Sequence, residues 1–147
     1  MASWAEDTRR FLEAHRLGHL ATVEPDGTPH VVPVCYALGD GVLYFVADAK
    51  PKRRPARELK RLANIRATGR AALVVDDWDE DWTQLAWVLV RGRAIVVDDA
   101  AEHAAALARL RARYPQYRAM ALDDPDRHPI VRITAERVRT WRARDRP

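Results

Sequence analysis

From about Leu85 to Val97 the chain alternates with a period of two, setting Val88, Val90, Gly92, Ala94 and Val96 against Trp87, Leu89, Arg91, Arg93 and Ile95. Successive side chains of an extended strand point to opposite faces, so one face of this strand is wholly apolar or small. Such a strand belongs in a sheet that packs one side on a core. Shorter runs of the same kind occur at His19 to Val23, Pro29 to Leu38, Val42 to Ala47, Ala71 to Val75 and Ile130 to Trp141. Glu24-Pro25-Asp26-Gly27 and Gly39-Asp40-Gly41 are turn sequences that join the first three of them as hairpins.

Three helical patterns are interposed. Ser3 to His15 places Thr8, Phe11, Leu12 and His15 along one face, with Ser3 as the cap. A second helix opens near Pro55 and gathers Leu59, Leu62 and Ala63, and a third follows Asp98 and Asp99 with Ala100, Ala104, Leu107, Leu110 and Tyr114. Hairpin-linked strands with a few helices predict a mostly β, antiparallel barrel or sandwich with helices packed outside. At 147 residues and 48% hydrophobic composition, one domain spanning the chain is expected.

The net charge of +4 is patterned more than excessive. Asp76, Asp77, Asp79, Glu80 and Asp81 stand together, whereas Lys50, Lys52, Arg53, Arg54, Arg57, Lys60 and Arg61 crowd the entry to the second helix. Cations beside the free N–H groups of a helix start form an anion cradle, although the same run also suits a solvated helix face. No phosphate-binding glycine loop occurs, so any phosphate must be held by side chains.

Several chemistries are excluded or poorly supported. Five histidines show no metal-binding spacing, which leaves most of them structural roles, and no metal is expected. Ser3 is the single serine and Cys35 the single cysteine, so a nucleophilic hydrolase, a thiolate zinc site and an intrachain disulfide have no basis; Cys35 reads as a small core residue. The lone cysteine, the absence of an apolar run of membrane-spanning length and an N-terminus unlike a secretory signal predict a soluble, cytoplasmic protein that does not engage membrane. Trp78, Trp82 and Trp87 lie within ten residues, suited to stacking on a flat ligand or to packing in the barrel wall or against a subunit.

The succession His19-Leu20-Ala21-Thr22-Val23, Asp26-Gly27-Thr28-Pro29-His30-Val31-Val32-Pro33-Val34, Leu43-Tyr44-Phe45-Val46, Lys50-Pro51-Lys52, Leu59-Lys60-Arg61-Leu62-Ala63-Asn64-Ile65, Asp81-Trp82 and Val90-Arg91-Gly92-Arg93-Ala94 resembles the pyridoxamine 5′-phosphate oxidase-like split-barrel superfamily. Within it the chain is most similar to the actinobacterial branch of deazaflavin-dependent enzymes that use coenzyme F-420. The resemblance implies a six-stranded antiparallel Greek-key split barrel that forms a homodimer, with a flavin-type cofactor in each cleft between protomers. It assigns the cofactor's anionic end to Lys50, Lys52, Arg53, Arg57 and Lys60, the ring to Val32, Pro33 and Val34, and closure of the cleft to Trp82 and Trp87. The strand-two basic motif and the C-terminal ending of the pyridoxamine phosphate oxidases themselves are not reproduced, which argues against vitamin B6 oxidation.

The leading expectation is an oxidoreductase that passes a hydride from coenzyme F-420 to a small organic acceptor, with no side chain required as the acid; His30 and Tyr36 are the available proton sources. FMN in the same site is the alternative. A nucleic-acid-binding module built on the basic stripe ranks below both, because the acidic run would repel a phosphate backbone. A cofactor carrier without catalysis remains open.

Overall fold

The computed structural model describes residues 3–47 and 59–145. Seven strands, β1 (Gly18–Val23), β2 (Pro29–Val34), β3 (Ala37–Gly39), β4 (Val42–Val46), β5 (Arg70–Asp77), β6 (Ala86–Val96) and β7 (Ile130–Arg142), form one sheet in the order β2-β1-β5-β6-β7-β4-β3. All six pairings are antiparallel. Helices α1 (Glu6–Ala14), α2 (Lys60–Thr68) and α3 (Ala100–Arg113) flank it. The sheet curls as the split barrel of the expected fold.

The period-two pattern of β6 is realised in burial: Val88, Val90, Gly92 and Ala94 face inward, whereas Arg91, Arg93 and Ile95 face out. Leu20, Leu43, Phe45, Leu73, Val75, Val90, Ile133 and Ala135 complete the inner face, and Phe11 and Leu12 of α1 with Leu62 and Ile65 of α2 pack against it. Fully burying a side chain of this size contributes about 1.5–3 kcal/mol, so this core outweighs the modest intrinsic helicity of two nine-residue helices. A second core holds α3 against the β4–β7 end through Ala106, Leu107, Leu110, Val46, Ile130 and Leu122.

β6 and β7 lose register once, at Arg91/Gly92, where β7 carries one extra residue, Glu136, between Ala135 and Arg137. Gly92 is required there because the strands approach too closely for a side chain. A Cβ on it would collide with the carbonyl oxygen of Thr134 and lie 2.8 Å from that residue's carbonyl carbon.

The strand expected over Pro29 to Leu38 is two strands, which makes seven where six were expected. The break falls at Cys35 and Tyr36. The Tyr114 hydroxyl lies 3.0 Å from both the N–H and the C=O of Tyr36, taking the place of a strand neighbour, and the chain then turns into β3 against β4. Other differences are smaller. Ser3 is not a cap; α1 starts after Ala5 without a side-chain cap. On α3 the buried face is His103, Ala106, Leu107 and Leu110, with Ala100 and Ala104 exposed, while Asp99 caps the helix through the N–H of Ala101 as expected. On α2, Asn64 and Ile65 are buried beside Leu62, and Ala63 is exposed. Among the described residues no helix is long and apolar enough to cross a membrane.

Candidate functional site

β2 carries Val32, Pro33 and Val34, the residues expected along a cofactor ring. Among the described residues it pairs only with β1, so along its other edge the backbone N–H and C=O groups have no strand partner there. Val32 and Val34 turn their side chains toward the core, and Pro33 turns outward. Of the three residues assigned to a ring, therefore, Val32 and Val34 offer it backbone while Pro33 offers a side chain. His30 sits opposite Thr22 on β1, and its Nδ1 is buried with no hydrogen-bond partner among the described residues. A buried imidazole nitrogen without a partner is costly, and marks a place where a polar ligand group fits.

Lys50, Lys52, Arg53 and Arg57 lie outside the described residues. Lys60 is described: it is the first residue of α2 and its ammonium forms an ion pair with Glu24, at the end of β1. α2 has no acidic residue in its first turn and instead carries Lys60 and Arg61, the wrong sign for the positive end of a helix dipole. Anionic groups, of Glu24 or of a ligand, relieve that arrangement. At its other end α2 stops at Gly69, whose φ of 67° supplies the left-handed cap and whose N–H donates to the Ile65 carbonyl at 2.8 Å. The β1–β2 turn is closed by Gly27 at φ 92°, with its N–H on the Glu24 carbonyl. Thr28 donates its backbone N–H to Asp26 at 2.9 Å and holds that carboxyl below its usual range.

The outward sheet face is an apolar band with charged ends. Strand register aligns Pro33, His19, Val74 and Leu89 on one row, and Val31, Ala21 and Ala72 on the next. Val31 is 62% exposed, unusual for a valine in a strand. Trp87 belongs to the same face and stacks on Trp141 of β7, with centroids 6.5 Å apart and planes 19° apart. Trp82 sits in a 3-10 turn, Trp82–Gln84, and is 67% exposed; it is not part of that stack. The turn is anchored by Asp81, which accepts from the backbone and hydroxyl of Thr83, and these hydrogen bonds lower its pKa.

The other candidates are committed elsewhere. The Tyr36 hydroxyl contacts the carbonyl oxygens of Leu12 (2.5 Å) and His15 (3.2 Å), and burial pushes it far above the usual phenol range despite the opposing charge of Arg113. Tyr36 is therefore a structural tie and no proton donor. His15 bridges the Phe11 carbonyl and Asp77, His103 reaches the His128 carbonyl, and His128 reaches the Ala47 carbonyl. Cys35 is half-buried, packed against the second core as a partly covered member, and lines a cavity with Tyr114, Tyr117 and Met120. Among the described residues no cluster of three His, Cys, Asp or Glu side chains is arranged to hold a metal. Sequence reasoning missed Trp141, whose partnership with Trp87 follows only from register, and the outward arginines Arg70, Arg91 and Arg137. These line a groove of about 500 Å³ over Ala21 and Ala72.

Solved structures share this architecture. A conserved hypothetical protein, Rv2991 of Mycobacterium tuberculosis, superimposes with a TM-score of 0.76 at 25% identity, covering 97% of this chain and 88% of its own. An F420 reductase matches with a TM-score of 0.68 at 27% identity over 92% of this chain and 98% of its own. A FAD-binding protein of Mesorhizobium loti matches with a TM-score of 0.67 at 27% identity over 95% of each chain. Among curated protein sequences none matches. The family model described as pyridoxamine 5′-phosphate oxidase matches residues 5–142, and the chain belongs to that family.

Proposed function

We propose that the protein is an oxidoreductase that binds a flavin-type cofactor, coenzyme F-420 in the leading reading, in a cleft between two copies of the chain, and reduces a small organic acceptor. The observation that carries this reading is β2: a strand at the sheet edge among the described residues, with an outward Pro33 and the unpartnered Nδ1 of His30, joined to β1 by the turn whose Glu24 pairs with Lys60 in the cationic first turn of α2. A planar, polar ring system fits the strand edge, and an anionic tail fits the helix start.

The residues divide the work. Lys60, together with Lys50, Lys52, Arg53 and Arg57, holds the anionic end. Backbone groups of Val32 and Val34 orient the ring and stabilise charge on it, and Pro33 packs against it. A second copy resting on the apolar band of Val31, Ala21, Ala72, Val74 and Leu89 excludes water from the cleft, and Trp87 borders it. The bound cofactor supplies the hydride; the protein supplies position and a dry, polarising surface. The F420 reductase neighbour supports the deazaflavin, and the FAD-binding neighbour is the reason to keep FMN as the second reading.

Titration with coenzyme F-420, followed by its fluorescence, tests the proposal. Saturable quenching at micromolar protein, weakened at least tenfold by Lys52→Ala with Lys60→Ala in a folded variant, is the expected result. Protein that purifies yellow and gains thermal stability from FMN but not from F-420 selects the second reading, and indifference to both rejects the two together.

A further inference from the structure

The cavity lined by Cys35 has a volume of about 530 Å³ and lies beyond the ends of β1 and β2. Leu17 immediately precedes β1 and Cys35 immediately follows β2, next to the paired residues Gly18 and Val34. By alternation the two keep to the side of the sheet taken by His19 and Pro33, the pair before. Both line the cavity, so its floor continues the row on which Pro33 is assigned to the ring. Cys35 is two residues from Pro33, about 7 Å along an extended chain. The cavity is clear of the band of Val31, Ala21, Ala72, Val74 and Leu89 assigned to a second copy, since none of these residues lines it.

Its walls are aromatic and apolar. Tyr114 and Tyr117 meet edge to face with centroids 5.6 Å apart, and Pro115 and Met120 complete the lining beside them. The Tyr114 hydroxyl is committed to the backbone carbonyls of Arg16 and Tyr36, so the polar tip of this residue is already used. Two polar side chains, Arg16 and Gln116, reach the lining, and no acidic one does. The Arg16 guanidinium lies 5.7 Å from the centroid of the Tyr114 ring and donates one N–H to the Arg113 carbonyl at 2.5 Å. Its other N–H groups have no hydrogen-bond partner among the described residues.

Pockets that hold small molecules are lined mainly by apolar and aromatic side chains, with a few polar groups that fix orientation. Flat conjugated systems pack on tyrosine rings, and a guanidinium pairs with carboxylate or carbonyl oxygen. We propose that this cavity binds the organic acceptor, a flat conjugated molecule that is apolar over most of its surface and carries a carboxylate or carbonyl oxygen at the end held by Arg16. The inference rests on the reading of β2 as the strand that bears the ring, because that reading places a guest of the cavity beside the cofactor. A cationic amine finds no carboxylate in the lining, which selects against acceptors of that kind.

Cys35 is the single cysteine of the chain, so its alkylation by iodoacetamide reports on this cavity. The probes are 2-naphthoate, a flat carboxylate, and 2-acetylnaphthalene, the corresponding ketone. At about ten times its dissociation constant, a probe that fills the cavity should slow alkylation about tenfold. Protection should be lost in Gln116→Trp, an exposed position from which a bulky ring blocks the cavity without disturbing the core. Arg16→Gln should weaken protection by 2-naphthoate about tenfold, the cost of a charge-assisted hydrogen bond. In the parent a saturating probe should also tighten F-420 binding about fivefold, the low end for coupled sites, and Gln116→Trp should abolish that coupling while F-420 alone binds as before. No protection by either probe, or equal protection in parent and both variants, overturns the site while F-420 binding stands. Protection with no effect on F-420 affinity overturns its assignment to the acceptor. Failure to bind F-420 at all, with protection intact, overturns the reading of β2 and the acceptor assignment together.

Discussion

The side-chain amide of Asn64 donates to the hydroxyl of Thr22 at 3.0 Å, a buried link between α2 and β1 across the inner face of the sheet. It fixes the helix whose first turn carries Lys60 onto the strand that pairs with β2, so the cationic helix start and the edge proposed for the ring share one support. Thr22→Val should strand the buried amide and cost about 1–3 kcal/mol, read as a lower urea midpoint at unchanged slope. The double replacement Thr22→Val with Asn64→Leu should recover part of that loss, because no polar group is then left unpaired. If Thr22→Val alone is silent, the link contributes nothing to stability.

Gly92 offers a second test of the packing. Gly92→Ala drives a methyl into the backbone of Thr134, where neither strand yields cheaply, and should cost roughly 3 kcal/mol, the upper end for overpacking. Differential scanning calorimetry should show a fall in melting temperature on the order of 10 °C. A variant that melts with the parent would mean that β6 and β7 separate easily at the bulge.

Tyr36 gives the molecule an alkaline limit. Its pKa in the folded protein is raised above the ordinary value of 10.0, chiefly by burial, so the folded state holds this proton more tightly than the unfolded chain does. The stabilisation is therefore fully present below pH 10 and is lost progressively above it. Tyr36→Phe should be about 1 kcal/mol less stable at pH 7 through the lost hydrogen bond, and the gap between variant and parent should narrow as pH rises past 10. Parallel curves at pH 7 and pH 10.5 would contradict this account.

Val31→Asp addresses the outward face. The side chain is mostly exposed, so the substitution should leave the unfolding free energy of the isolated chain within about 0.5 kcal/mol of the parent. A second copy seated on the band would, by contrast, have to desolvate the new carboxylate. Sedimentation equilibrium should show association weakened at least tenfold, and an unaltered dimer would move the contact to another face.

Much of this architecture is readable along the chain. The alternation of β6, the Gly39-Asp40-Gly41 turn and the Asp99 cap are local patterns, and they survive because each agrees with its tertiary setting. The break at Cys35-Tyr36 is not local: the hydroxyl of Tyr114, far away in sequence, meets the backbone groups of Tyr36 there. The buried face of α3 shifts for the same kind of reason, since His103 finds an acceptor in the carbonyl of His128 that helical spacing alone does not announce. In the candidate site, the existence of β2 and of a cationic helix start is legible from pattern and charge, and the pairing of Lys60 with Glu24 is not. Least visible of all is the convergence of Arg70, Arg91, Arg93 and Arg137, which exists only once three strands are in register.

The placement of β7 has a consequence for how the molecule assembles. This strand pairs with β6 on one side and with β4 on the other, so it is the seam that joins the β2-β1-β5-β6 half of the sheet to the β4-β3 hairpin. The hairpin is synthesised long before its seam, and until β7 emerges it must wait with an open edge and an uncovered apolar side. Closing the sheet is thus a long-range event, slow by the standards of local pairing, and the interval before it is when a newly made chain is most exposed to wrong partners.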